Sequence, residues 1–140
     1  MVGKIVTGKS FGGAVRYLLG KEQGKAYILT SDGVELTSRQ ALIGSFEFQR
    51  RARPDVERVV GHISLSFHPD DAPRMSDQLM IDLAREYMRR MEITNTQYLV
   101  VRHTDTKHPH LHILYNRVRY DTTLVPDRNE RLRNMRICKE

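Results

Sequence analysis

Two apolar runs joined by a short polar stretch, Gln97–His103 and His110–Tyr115, constrain this chain more than any other feature. From His110 onward, Leu111, Ile113 and Tyr115 fall on one parity while His110, His112 and Leu114 fall on the other. This is the period of two that a strand imposes. The intervening residues, Thr104 to Pro109, are few and polar enough to return the chain antiparallel to itself. A hairpin of this kind sets His103 beside His110 and His112. Residues 103 to 112 thus concentrate four of the six histidines of the chain, together with Asp105. Such a cluster is expected to bind a metal or a phosphate.

Composition limits what can surround that hairpin. At 140 residues, 39% hydrophobic and 29% charged, the chain has the profile of one soluble domain large enough to bury a core. No apolar run approaches the roughly 18 residues of a membrane span. The N-terminus, Met-Val-Gly-Lys-Ile-Val-Thr, lacks a signal-peptide core, so a cytoplasmic location is expected. A single cysteine, Cys138, rules out an intramolecular disulfide and a cysteine-based metal site, leaving metal chemistry to the imidazoles. A formal charge of +6 and a pI near 9.7 favour a polyanionic partner.

Other segments read as alternating strands and helices. Val2 to Thr7 is expected as a strand, followed by a glycine-containing turn, Gly8 to Gly13, suited to close approach of an anion. Ala14 to Lys21 reads as a short helix ended by Gly20, with Val15, Leu18 and Leu19 inward and Tyr17 toward the edge. Ala26 to Thr30 is a further strand, and Ser31 to Gly33 a turn. Thr37 with Gln40 forms a capping box for a helix carrying Leu42, Ile43 and Phe46. Arg58 to His68 alternates, with Ile63 and Leu65 on one face and His62, Ser64 and Ser66 on the other. Ser76 caps a helix whose Leu79, Met80, Leu83, Tyr87, Met88 and Met91 recur at helical spacing. Asp127 to Glu140 begins another, with Leu132, Met135 and Cys138 on its apolar side. The expected fold class is α+β: a mainly antiparallel sheet with helices packed on one face and the polar strand faces left as a working surface.

Three chemistries could use the histidines. His103, His110 and His112 could hold a divalent ion, since neutral imidazole is a good ligand and the remaining coordination positions accept water or a phosphate oxygen. His108 shares the strand parity of His110 and could stand in for His103. Alternatively, His108-Pro-His110-Leu-His112 is similar to the motif of histidine-triad nucleotide hydrolases, where the middle histidine attacks phosphorus without a metal. The plainest reading is a strand with solvated surface histidines.

Three blocks in order give the chain a wider resemblance. They are Ser10-Phe-Gly-Gly-Ala-Val-Arg-Tyr17-Leu-Leu, then His62-Ile-Ser-Leu-Ser66-Phe, then His103-x-Asp105-x-x-His-Pro-His110-Leu-His112-Ile with Asn116. Together they resemble the relaxases, the HUH endonucleases that start conjugative transfer or mobilisation of plasmids and integrative elements. The closest likeness is to the class in which a single tyrosine precedes the histidine motif. The resemblance covers essentially the whole chain as one nuclease domain, residues 1–140, and the charged terminal helix reads as the opening of one that continues in longer relatives. The chain is therefore expected to be the N-terminal fragment of a larger protein.

The resemblance implies that Tyr17 attacks a phosphodiester of single-stranded DNA at an origin of transfer and becomes joined to the 5′ phosphate. A phenol has a pKa near 10 in water, so attack at neutral pH calls for a metal's field or a nearby base. His103, His110 and His112 would hold the ion, manganese or magnesium in family use, although three imidazoles also suit zinc, nickel or cobalt. Asp105 would accept the second N–H of a ligand imidazole. Ser66 and Asn116 would contact DNA. Lys4, Lys9, Arg16, Lys21 and Lys25 make the first 25 residues basic enough to follow a phosphate backbone. Accessory mobilisation proteins and a coupling protein are the further partners implied. A non-catalytic single-stranded DNA-binding module on the same scaffold is the remaining alternative.

Overall fold

The computed structural model describes residues 1–20, 25–127 and 130–139. Lys21 and the extreme C-terminal residue of the last expected helix, Glu140, lie outside them. Five strands, β1 (Val2–Gly8), β2 (Ala26–Asp32), β3 (Val60–Ser66), β4 (Tyr98–His103) and β5 (His110–Asn116), form one sheet in the order β1-β3-β5-β4-β2. Every neighbouring pair is antiparallel. Among the described residues, four α-helices, α1 (Phe11–Leu19), α2 (Arg39–Arg50), α3 (Asp77–Arg90) and α4 (Glu130–Lys139), and a short 3-10 helix, Pro69–Arg74, complete the fold. The class is α+β, as the alternation of elements implied.

The helices cover both faces of the sheet rather than one. Strand parity gives the reason. The central strands carry apolar residues on both sides: Ile63, Leu65, Val100, Leu111, Ile113 and Tyr115 on one, Val60, Leu99, Val101 and Leu114 on the other. Each set needs its own cover. The first meets Met80, Ala84, Tyr87 and Met88 of α3 and Ile137 of α4. The second meets Phe11, Val15 and Leu18 of α1 with Leu42 and Phe46 of α2. His103, His110 and His112 share this second face, with His103 meeting the backbone of α1 at Leu18.

Local signals explain where the helices begin. Ser10, not the glycine turn, starts α1: its Oγ accepts from Gly13 N at 2.9 Å, so Gly12 and Gly13 lie in the first helical turn. Phe11 thereby enters the core, fully buried and stacked on Phe46 with ring centroids 4.7 Å apart. The cap of α2 is Ser38, one residue later than the Thr37 capping box, and accepts from Ala41 N at 3.0 Å. Ser76 caps α3 as expected, accepting from Leu79 N.

In α4 the buried side is Asn134 and Ile137, while Leu132 and Met135 are exposed. The stripe expected from Leu132, Met135 and Cys138 is displaced because a polar anchor sets the helix's rotation. Asn134 Nδ2 donates to Gly3 O at 2.8 Å, and its Oδ1 accepts from Tyr87 Oη at 2.6 Å. Gly61 answers a different demand: a Cβ there would overlap the Tyr115 ring of the adjacent strand.

Candidate metal and tyrosine site

Register turns the strand alternation into a site. His103 of β4 pairs with His110 of β5, which pairs with Ser66 of β3. One row along, Val101 pairs with His112, His112 with Ser64, and Ser64 with Lys4 of β1. The expected hairpin between Gln97 and Tyr115 is thus present, and it puts the three histidines on one patch of one face. One ligand nitrogen from each of His103, His110 and His112 lies within 4.8 Å of the other two, a set that could hold a metal ion. The ring centroids are 4.3 Å apart for His103 and His112, 5.3 Å for His110 and His112, and 5.5 Å for His103 and His110.

The chemistry of this donor set fits a metal because the second nitrogen of each ring is engaged elsewhere. His103 Nε2 donates to Leu18 O at 2.9 Å. His110 Nδ1 lies 3.1 Å from His108 O and 3.2 Å from Thr106 Oγ1. His112 Nδ1 lies 2.8 Å from His62 Nε2. A carbonyl can only accept, so it fixes the proton on the ring nitrogen facing it and directs the other nitrogen of His103 and His110 to an ion; at His112 the same outcome requires that His62 Nε2 accept. His103 and His112 are nearly completely buried, so the cluster is held by a packed surround rather than by solvent.

His108 does not join them. Its Nδ1 lies 3.2 Å from Phe67 O, just past the end of β3. The group that could hold an ion is His103, His110 and His112, without His108. Asp105 reaches the cluster. Its Oδ1 is 3.8 Å from His110 Nε2, the nitrogen on the ligand side, whereas the second N–H of that ring is taken by the His108 carbonyl.

Tyr17 stands across from the histidines on α1, 58% exposed. Its ring meets those of His62 and His112 edge-on, with centroids 6.1 and 6.5 Å away. A pocket of about 250 Å3 lies there, lined by Lys4, Val6, Tyr17, His62, Ser64 and His112. The other tyrosines are placed elsewhere. Tyr87 and Tyr115 are buried in the opposite core, and desolvation raises both phenols above their ordinary value. Tyr98 packs against that same core. Tyr27 pairs with Arg102, one residue out of phase with the histidine parity of β4. Tyr120 Oη donates to Asp32 Oδ2 at 2.6 Å.

Ser66 is half-buried beside His110, on the histidine face. Asn116 has the same parity but not the same setting. It is fully buried beneath α2, where Nδ2 donates to Phe46 O and Gln97 Oε1 while Oδ1 accepts from Val118 N. The expected contact with DNA is replaced by a structural role, because the helical cover extends over that end of β5. Arg117 and Arg119 are likewise tied to the backbone: Arg117 donates to Arg58 O, and Arg119 to Thr94 O and Glu92 O. Of the basic residues near the N-terminus, Lys4 lines the pocket, and Lys9 lies 3.7 Å from Glu57 in an exposed pair.

His62 is the residue that sequence reasoning passed over. Its alternation placed it on the polar face, yet nothing in the pattern of β3 indicates that its ring meets His112 diagonally across two strands. Burial, and after it the neighbouring His103, pull the His62 pKa below the ordinary imidazole value.

Residues 17–140 match a family model described as Relaxase: MobA/VirD2-like, nuclease domain. No curated protein matches the chain. Among the described residues, no helix is long and apolar enough to cross a membrane.

Proposed function

The chain belongs to the relaxase family through a MobA/VirD2-like nuclease domain, and we propose that it nicks single-stranded DNA at an origin of transfer through Tyr17, forming a 5′-phosphotyrosine intermediate. Family membership carries the coarser statement, a DNA-nicking nuclease of mobilisation that binds single-stranded DNA. The finer reading rests on one observation: Tyr17 and His112 are both in the lining of the same pocket, and His112 belongs to the three-imidazole cluster.

In this reading the Tyr17 hydroxyl oxygen attacks the scissile phosphorus and the phenolic proton is lost. The P–O3′ bond breaks, and the upstream strand departs with a 3′-hydroxyl after taking up a proton. The new O–P bond conserves the energy of the phosphodiester for later rejoining. His103, His110 and His112 would hold a divalent ion through one ring nitrogen each. When bound, that ion supplies positive charge beside the non-bridging oxygens of the scissile phosphate. Of the two ions in family use, manganese stands above magnesium for an imidazole set, since magnesium prefers oxygen ligands throughout.

The remaining residues position the strand. Asp105 adds negative charge on the ligand side of His110, strengthening the site for a cation. Lys4 brings an ammonium to the pocket for a neighbouring phosphate, and Ser66 offers a hydroxyl at the row of His110. Asn116 is left out of this set because the interior consumes its amide.

Labelled single-stranded oligonucleotides spanning origins of transfer, incubated with the chain and manganese, test the proposal. The expected products are one strand with a free 3′-hydroxyl and one whose 5′ end stays with the protein under denaturing conditions. Cleavage that leaves both ends free of protein would contradict it.

A further inference from the structure

His62 lies between the two halves of the site. Its ring centroid is 5.0 Å from that of His112 and 6.1 Å from that of Tyr17. It comes from β3, where it pairs with Leu114, whereas His112 pairs with Ser64, so the two imidazoles are diagonal neighbours on adjacent strands. Their nitrogens, His62 Nε2 and His112 Nδ1, are 2.8 Å apart.

A neutral imidazole has one donor and one acceptor nitrogen. If His112 presents a lone pair from Nε2 to the cluster, its proton must sit on Nδ1 and point at His62. That makes His62 Nε2 the acceptor and puts the His62 proton on Nδ1. For His103 and His110 the corresponding partner is a backbone carbonyl, which can only accept and therefore settles the tautomer unaided. At His112 the partner facing Nδ1 is a side chain, and a side chain can be changed. We propose that His62 is a positioning residue that holds His112 in its ligating tautomer and orientation, and so sets the affinity of the three-imidazole site. This inference rests on reading the cluster as a metal site.

The test compares manganese binding by the wild-type chain, His62→Leu and His62→Gln in calorimetry, without DNA. Glutamine can present an acceptor oxygen toward His112, and leucine cannot. Loss of an outer hydrogen-bonding partner weakens a metal site by about 10–100-fold. The leucine variant is expected to fall in that range and the glutamine variant to recover most of the affinity. Nitrogen-15 imidazole spectra of the metal-free wild type give a readout independent of folding in any variant, with His112 expected as the Nδ1-protonated tautomer. Leucine binding as tightly as wild type, or an Nε2-protonated His112, would overturn the role of His62 while leaving the metal site intact. A wild-type chain that binds no manganese would overturn the metal reading and this inference with it.

Discussion

His103 Nε2 donates to the Leu18 carbonyl at 2.9 Å, tying a histidine of the cluster to the helix residue that follows Tyr17. The tyrosine and the imidazoles therefore do not sit on independently placed elements. Changing His103 to alanine is expected to act twice. It removes a ligand nitrogen, lowering manganese affinity by at least about tenfold. It also removes a buried donor from a carbonyl, costing about 1–3 kcal/mol of stability. Calorimetry and denaturant unfolding on the same variant separate the two effects.

Tyr17→Phe is expected to do neither. The side chain is largely exposed, so stability should stay within about 0.5 kcal/mol of wild type. Manganese affinity should be unchanged, and the covalent protein-DNA product should disappear. An unfolding curve, a metal titration and a denaturing gel check the three parts.

Phe11→Ala addresses the support beneath the tyrosine. Phe11 is fully buried and stacked on Phe46, at the start of the helix that carries Tyr17. Its loss is expected to cost about 3–5 kcal/mol, read from the shift of the urea midpoint at constant slope. Ser10→Ala at the cap of the same helix should cost about 1 kcal/mol in the same measurement.

Strand parity makes the histidine face legible in the sequence, because an alternating pattern encodes which side chains share a face, and the hairpin after His103 requires only a short polar connection. What lay over that face was not encoded in the strands. Val60, Leu99, Val101 and Leu114 share the histidine parity and call for helical cover. How far the cover extends depends on where α1 and α2 dock. Asn116 shows the consequence: its parity matches His112, but α2 closes over it. His62 was hidden for a related reason, since a diagonal contact between strands depends on register rather than on the residues of either strand alone. The rotation of α4 depended on the Asn134 anchor, which has no periodic signature.

Asn116→Ala separates structure from DNA contact. The amide joins Phe46, Gln97 and Val118, so its removal is expected to cost about 1–3 kcal/mol by chemical denaturation. Affinity for single-stranded DNA, measured by anisotropy well below the melting temperature, should match that of wild type. A selective loss of DNA binding with no loss of stability would place the residue at the interface instead.

The central claim is that Tyr17 is the nucleophile of the site built by His103, His110 and His112. Its most direct test is to isolate the denaturation-resistant adduct formed with manganese and single-stranded origin DNA, digest both components, and locate the modified peptide by mass spectrometry. The account predicts a nucleotide 5′ phosphate on Tyr17, with adduct formation abolished by prior chelation of the metal. A phosphate on Tyr27, or on any residue other than Tyr17, would contradict it.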